Sequence, residues 1–361
     1  MGILKFSTLF QPDYVISKDL IKDEIIAIDA MSEIYRIILG FQNAPSIRNK
    51  QSNIEHEEGD AIMPNTTSTT TLWIKTFVDT LLGYKKNNVK TIWVFDGKNI
   101  HKQNEIKKRM QKKEEAKEKI QQQIKEINTS EEYKGMDKNT KDQKINELED
   151  KESKASFYVN AEIKQLIIDI LISLGIPYVI LDNYEGEHVA SILNKERSVS
   201  AVLSADLDPI IFDATTLYKV TKMSKCLNRK GKKTKAGDIE VYTKAGVLKQ
   251  LKEKLSVVYE NVNYTDKQLY GILLRVCLIL GTDFAEKTKS VGPGTVIKKY
   301  SEIVLTEDQK NALQIFKNHP KIEDIKIIKF KANPKKFAEI LISLKFSEKN
   351  IEKYLTGFVV A

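Results

Sequence analysis

Residues 25–30 read Ile25-Ile26-Ala27-Ile28-Asp29-Ala30, a β-branched run that ends on a carboxylate. Four apolar residues in a row, three of them isoleucine, favour a strand buried on both faces. The stretch that follows, Met31 to Phe41, carries apolar residues at helical spacing. A strand leading directly into a helix is the unit from which parallel sheets are built. The pattern recurs: Thr91 to Phe95, Pro177 to Leu181, Ala201 to Leu203 and Leu217 to Val220 read as strands. Thr71 to Tyr84, Val159 to Leu174 and Gly186 to Asn194 read as helices between them. The expected fold class is α/β, with a mainly parallel central sheet flanked by helices. Beyond Thr265 the chain reads as mostly helical.

The 361 residues, 41% of them hydrophobic, suffice for a sizeable core and exclude a fully disordered polyampholyte. Lys and Arg number 58 against 49 Asp and Glu, a net charge of +9 that suits an anionic partner. Two cysteines, Cys226 and Cys277, exclude a disulfide framework and a Cys-rich zinc module, so any metal is expected on oxygen ligands. The most apolar stretch, Leu166 to Leu181, is interrupted by Asp169, Gly175 and Pro177. It falls short of the roughly 18 to 20 residues of a membrane span, and no membrane partner is expected. The amino terminus has no signal-peptide layout. The charge is concentrated: from Lys102 to Lys154 apolar residues nearly vanish, which predicts a solvated helical excursion or a disordered insert. A second basic run, Lys222 to Lys235, reads as a loop or ribbon, and the polar segment between Asn43 and Thr70 as an exposed loop.

In open α/β sheets chemistry collects at the carboxyl ends of strands. Asp29, Asp96 and Asp206 each follow a strand-like run there. Any one of them reads equally as an N-cap or turn aspartate; as a set along one sheet edge they read as a site. Glu185-Gly186-Glu187 and Asp206-Leu207-Asp208 put like charges two residues apart, an arrangement that repulsion disfavours and divalent cations relieve. Hard oxygen ligands without a His or Cys cluster point to Mg²⁺ or Mn²⁺, and two such ions about 4 Å apart are a standard device for phosphodiester hydrolysis. A further acid, Asp283, follows a predicted helix from Gln268 to Leu280. Then comes Val291-Gly292-Pro293-Gly294-Thr295 with Lys298 and Lys299 behind it. This reads either as a helix stop and tight turn or as backbone open to a phosphate with lysines beside it.

Met1-Gly2-Ile3, Ile28-Asp29-Ala30 with Tyr35, Val94-Phe95-Asp96-Gly97-Lys98, Glu185-Gly186-Glu187, Asp206-Leu207-Asp208 and Asp283 through Val291-Gly292-Pro293-Gly294 occur in one order along the chain. Together they resemble the flap endonuclease (XPG-like) family over nearly the whole chain. The resemblance implies a PIN-like 5′-nuclease fold with a helical arch insert and a C-terminal helix-two-turn-helix region. The activity it implies is that of a structure-specific, two-metal flap endonuclease with 5′–3′ exonuclease action on DNA, serving replication, repair or recombination. Asp29, Asp96, Glu185 and Glu187 look like the acids around one Mg²⁺ (or Mn²⁺), and Asp206, Asp208 and Asp283 like those around a second. Lys102 and Arg109 resemble gateway residues that stabilise charge on the phosphate. Tyr35 matches an aromatic that stacks on a nucleobase. Gly2, Lys98, Gly292, Gly294, Lys298 and Lys299 are the implied nucleic-acid contacts, the Gly-Pro-Gly turn often carrying K⁺.

Phe284 stands where the family has Tyr, Gly186 where it has Ala, and Pro209 where it has an apolar residue. The carboxy-terminal Phe358-Val359-Val360-Ala361 lacks the Gln-led, aromatic-ended peptide that docks sliding clamps, which argues against clamp binding. The expected divisions are a nuclease region over 1–110, a charged arch over 111–155, an internal nuclease region over 156–264, and the helix-two-turn-helix and helical region over 265–361. The expected partner is DNA with 5′ flaps or branched or nicked duplex, bound by a monomer. A location in the nucleus is expected for a cellular protein, and in the host cytoplasm or replication site for one of a large DNA virus. A catalytically silent scaffold, or a nuclease directed at four-way junctions or RNA, is the alternative on the same fold.

Overall fold

The computed structural model describes residues 6–42, 67–98, 103–129, 133, 137–156, 159–220, 238–259 and 263–359. Seven strands form one sheet: β1 (Tyr14–Ile16), β2 (Ile25–Asp29), β3 (Lys90–Asp96), β4 (Tyr178–Leu181), β5 (Ala201–Leu203), β6 (Thr216–Val220) and β7 (Ile239–Thr243), in the order β1-β7-β6-β5-β2-β3-β4. The five from β2 to β6 are parallel, and β7 and β1 add antiparallel pairs at one side. From β2 the chain steps outward one way through β3 and β4 and the other way through β5 and β6. That reversal opens a crevice at the carboxyl ends of the central strands.

Strand alternation divides the core in two. Ala27, Ile92, Val94, Val179, Val202 and Leu217 face one side, under helices Gly186–Lys195, Lys244–Ser256 and Asp266–Leu280. Ile26, Ile28, Trp93, Phe95, Ala201 and Leu203 face the other, under Ala30–Gln42, Thr67–Lys86 and Ala161–Ser173. Both faces are therefore apolar at every central position, which is why these strands read as unbroken hydrophobic runs. Only their ends are free to carry acids.

The charged insert forms two helices, Gln103–Thr129 and Lys138–Ser156. They pair antiparallel: Gln121 donates to Glu152 at 3.0 Å, and the Lys144 ammonium sits 5.2 Å from the Tyr133 ring centre. Of the two readings of this segment, the helical one holds for its described residues. The basic run from Lys222 to Lys235 lies outside the described residues, as does the segment 43–66; the strands flanking the basic run, β6 and β7, pair antiparallel. Among the described residues no helix is long and apolar enough to cross a membrane.

Beyond Thr265, helices Asp266–Leu280, Pro293–Lys299 and Glu307–Lys317 follow in succession. The chain then crosses the β4 edge, where Ile328 bridges Tyr178 and Phe330 stacks on the same ring at 5.6 Å. It ends in helices Pro334–Ser343 and Glu348–Val359 against the second face of the sheet.

Candidate functional site

Register places the first acids. Asp29 pairs with Val94 across β2 and β3, so Asp96 stands two residues further along and, by strand alternation, on the same side. Ile28 pairs with Leu203 across β2 and β5, which sets Ser204 directly beside Asp29. Asp29 is buried and caps helix Ala30–Gln42: its Oδ1 accepts from the Ser32 amide at 3.2 Å and its Oδ2 from the Ser204 hydroxyl at 3.0 Å. Burial first, then the Asp96 charge, pushes the Asp29 carboxyl up to about 7; Asp206 adds to this, while the bonds from Ser32 and Ser204 pull it down. Asp29, Asp96 and Asp206 thus share one electrostatic neighbourhood at the sheet edge.

Asp96 is exposed, and its Oδ1 accepts from the Gly186 amide at 2.8 Å. The ends of β3 and β4 are laced together around it. Gly97 donates to the Tyr184 carbonyl at 3.1 Å, Asn183 to the Lys98 carbonyl at 2.9 Å, and the Lys98 amide to Asp182 Oδ1 at 3.1 Å. The lacing leaves no room for side chains. A Cβ on Gly97 would lie 2.0 Å from the Leu181 carbonyl oxygen, and one on Gly186 would lie 2.6 Å from that of Val94. The glycine between the two glutamates, where the family resemblance leads one to expect alanine, is therefore dictated by close backbone approach.

Glu185 is buried and is the N-cap residue of helix Gly186–Lys195, with Glu187 in the first turn. Asp208, also buried, opens the short helix Asp208–Ile211. With Asp29, four of the seven acids sit at helix N-termini, where exposed N–H groups favour negative charge. The helix ends offset part of the repulsion among these acids, and the raised Asp29 carboxyl marks what remains. Asp208 lies close enough to Cys277, on helix Asp266–Leu280, that its charge adds to the burial that raises the thiol. Asp283 lies in the turn after that helix. The next residue, Phe284, stands edge-on to Phe212 at 6.4 Å and to Phe316 at 5.5 Å, tying the Asp283 turn to the end of the Asp208 helix. Among the described residues no three His, Cys, Asp or Glu side chains converge into a ready-made metal cage.

The basic candidates are placed less completely. Lys102 and Gly2 lie outside the described residues; Arg109 falls within helix Gln103–Thr129, its side chain outside what is described. Lys98 is exposed beside Asp96. Tyr35 is half-buried, with its hydroxyl accepting from the Val159 amide at 3.1 Å. Gly292 is the N-cap residue of helix Pro293–Lys299, and a Cβ at Gly292 or Gly294 would meet nothing within 4 Å. Internal packing does not demand glycine there, and Lys298 and Lys299 are both exposed.

Sequence reasoning missed several groups around the acids. Ser32 and Ser204 hold Asp29, and no sequence signal marks them. Lys164 donates to the Asp96 carbonyl at 3.1 Å with its ammonium 5.5 Å from the Phe95 ring centre. His188, one residue past Glu187, is buried and stacked on Phe212 at 4.2 Å; its Nε2 lies 3.0 Å from His319 Nδ1. Burial, reinforced by His319, drives the His188 imidazole down to about 3 and keeps it neutral. A cavity of about 70 Å³ opens beside Glu185, with His188, Phe284 and Asn318 among its walls.

With this geometry in place, comparison with known proteins is decisive. The XPG N-terminal domain profile matches residues 1–116 and the XPG I-region profile residues 175–283. The chain belongs to the XPG-like flap endonuclease family. It is 26% identical over 302 residues to flap endonuclease 1 of Methanobrevibacter smithii, covering 82% of this chain and 74% of the relative. Identity to flap endonuclease 1 of Sordaria macrospora is 25% over 342 residues, or 91% and 71% of the two chains. The fold matches flap endonuclease-1 from Methanococcus jannaschii with a TM-score of 0.58 at 18% identity, over 99% of this chain and 98% of the other. It also matches the catalytic core of Rad2 in complex with DNA substrate, with a TM-score of 0.55 at 13% identity, over 99% and 100%. The family and the α/β class with a mainly parallel sheet are those that the acid motifs and strand runs led one to expect; the antiparallel strands β1 and β7 are additions to it. Family membership supports a structure-specific nuclease, a phosphodiester hydrolase.

Proposed function

We propose that this chain is a divalent-cation-dependent 5′ flap endonuclease with 5′–3′ exonuclease action on branched or nicked DNA, serving replication, repair or recombination. The observation that carries the reading is the buried Asp29 carboxylate, held against Asp96 and Asp206 at the carboxyl edge of the sheet. A buried acid set beside two others either takes up a proton or is offset by a cation, and a divalent ion at this edge would favour the charged form. The donor set is hard oxygen throughout, which fits Mg²⁺ or Mn²⁺. Asp29, Asp96, Glu185 and Glu187 would hold one ion, and Asp206, Asp208 and Asp283 the other. Bound there, the ions supply Lewis-acid polarisation of the scissile phosphate and charge compensation for the leaving oxygen.

The chain's own groups orient and select. The Ser32 and Ser204 bonds fix the Asp29 carboxylate, and the Gly186 amide fixes that of Asp96. Lys298 and Lys299 face outward where they can neutralise duplex phosphates. The paired helices of the insert, which follow directly on Asp96, give a 5′ strand a charged surface to pass. The test is cleavage of a 5′-flap duplex in a Mg²⁺ titration with EDTA reversal, beside the Asp208→Ala variant. Cation-dependent cutting that Asp208→Ala abolishes while duplex binding persists supports the reading. Tight, cation-independent binding without cutting would make the protein a scaffold, and preference for four-way junctions or RNA would change the substrate.

A further inference from the structure

Two serines that carry no ligand role connect the halves of the acid cluster. Ser204 is 1% exposed and directly follows β5, beside Asp29. Its hydroxyl has one proton and two lone pairs. The Asp206 amide can only donate, and it points at Ser204 Oγ from 3.2 Å. The Ser204 proton is therefore committed to Asp29 Oδ2 at 3.0 Å. One hydroxyl thus closes the turn that presents Asp206 and orients the carboxylate of Asp29. Ser32 repeats the connection from the opposite side. Its amide donates to Asp29 Oδ1 at 3.2 Å, and its hydroxyl accepts from the Ala205 amide at 2.8 Å. The loop Ser204-Ala205-Asp206 is thereby fastened at two points to the strand end and helix start that hold Asp29.

Resting on the two-cation reading above, we propose that Ser204 and Ser32 are positioning residues that set the separation between the two ions. Asp29 belongs to the acids assigned to one ion and Asp206 to those assigned to the other. A spacing error there would leave each half-site able to bind while the pair is mispositioned.

The experiment reads ion binding on the cation-free protein, with Mn²⁺ as the probe. Binding isotherms are followed by electron paramagnetic resonance, in which spin coupling between neighbouring Mn²⁺ ions reports their separation. Wild type is expected to bind two ions with a coupled signal. Ser204→Ala should weaken at least one site about 10- to 100-fold, the usual cost of losing a group that orients a metal ligand. It should also lose or alter the coupling at concentrations that saturate wild type. Ser32→Ala should act in the same direction and stands in should Ser204→Ala fail to fold; Ser204→Thr, which keeps the hydroxyl, should restore the coupled signal. Ser173→Ala is the control: Ser173 is equally buried, bonded to the Ile170 carbonyl near the opposite end of the sheet, and should cost stability without touching ion binding. Wild-type isotherms and coupling in folded Ser204→Ala and Ser32→Ala overturn the proposal while leaving the nuclease reading intact. A wild type that binds fewer than two ions overturns the two-cation reading and the proposal with it.

Discussion

Replacing Asp29 by Asn should stabilise the cation-free protein while removing its activity, and the size of the effect follows from the site. The folded carboxyl sits at about 7 against 3.8 in the unfolded chain. A pKa raised on folding contributes stability that is present below the unfolded value and is lost as pH rises through the folded one. Near pH 8 about 3 units separate the two states, so ionising Asp29 costs the fold about 4 kcal/mol; near pH 5 only about 1 unit has been crossed, for about 1 to 2 kcal/mol. Asparagine cannot ionise and still accepts from the Ser32 amide, but it gives up the bond from Ser204, worth about 1 kcal/mol. The variant should therefore be more stable than wild type by about 3 kcal/mol at pH 8 and by under about 1 kcal/mol at pH 5. Urea unfolding in EDTA measures this through the two tryptophans, Trp73 and Trp93, both buried, the second in the strand beside Asp29. Mg²⁺ should then stabilise wild type and leave the variant nearly unmoved. A wild-type minus variant difference that stays constant within about 0.5 kcal/mol between pH 5 and pH 8 would refute the claim that Asp29 is held against its neighbours' charge.

Gly186→Ala places a methyl 2.6 Å from the Val94 carbonyl oxygen, so thermal unfolding should show a loss of about 1 to 3 kcal/mol together with weaker Mn²⁺ binding; an unperturbed protein would mean the helix can simply back away. Lys298→Ala with Lys299→Ala should flatten the slope of log Kd for duplex DNA against log salt by up to about two ion equivalents, and an unchanged slope would assign the turn a structural role. The depressed His188 favours folding above about pH 6.5, its unfolded value, and that contribution is lost as pH falls toward 3. His188→Phe, which keeps the stacking on Phe212, should accordingly lose less stability than wild type between pH 6.5 and pH 4 in chemical denaturation, and parallel curves would rule out His188 as a source of acid lability.

The central strands were legible because burial on both faces leaves an unbroken apolar run, and the acids because they end those runs. β1 and β7 were not. Tyr14–Ile16 has three residues and an exposed tyrosine, and Ile239–Thr243 alternates Ile239 and Val241 with Glu240 over too short a span to stand out. β1 is a strand through its pairing with β7, and β7 through its pairing with both β1 and β6, contacts that no local pattern reveals. The insert's composition left helix and disorder open, since helix propensity without an apolar face is compatible with either; its two helices are held by side chains such as Gln121 and Glu152 that no periodicity reveals. Ser32, Ser204 and Lys164 escaped for a different reason. What makes them part of the site is cross-strand and helix-to-sheet adjacency, set by the register of Ile28 with Leu203 and by the placement of helix Ala161–Ser173. Gly186 read as a bare replacement for alanine, and only the distance to Val94 supplies its cause.

The pairing of the insert with itself also bears on the order in which the molecule assembles. Gln121 meets Glu152 across 31 residues, whereas Ser204 reaches Asp29 across 175 and Thr243 reaches Asp13 across 230. Closing a short loop costs less entropy than closing a long one, and contacts between distant segments form slowly. The charged helix pair is thus an early, local product of folding, while the acids meet only when the slowest-forming contacts of the sheet are made.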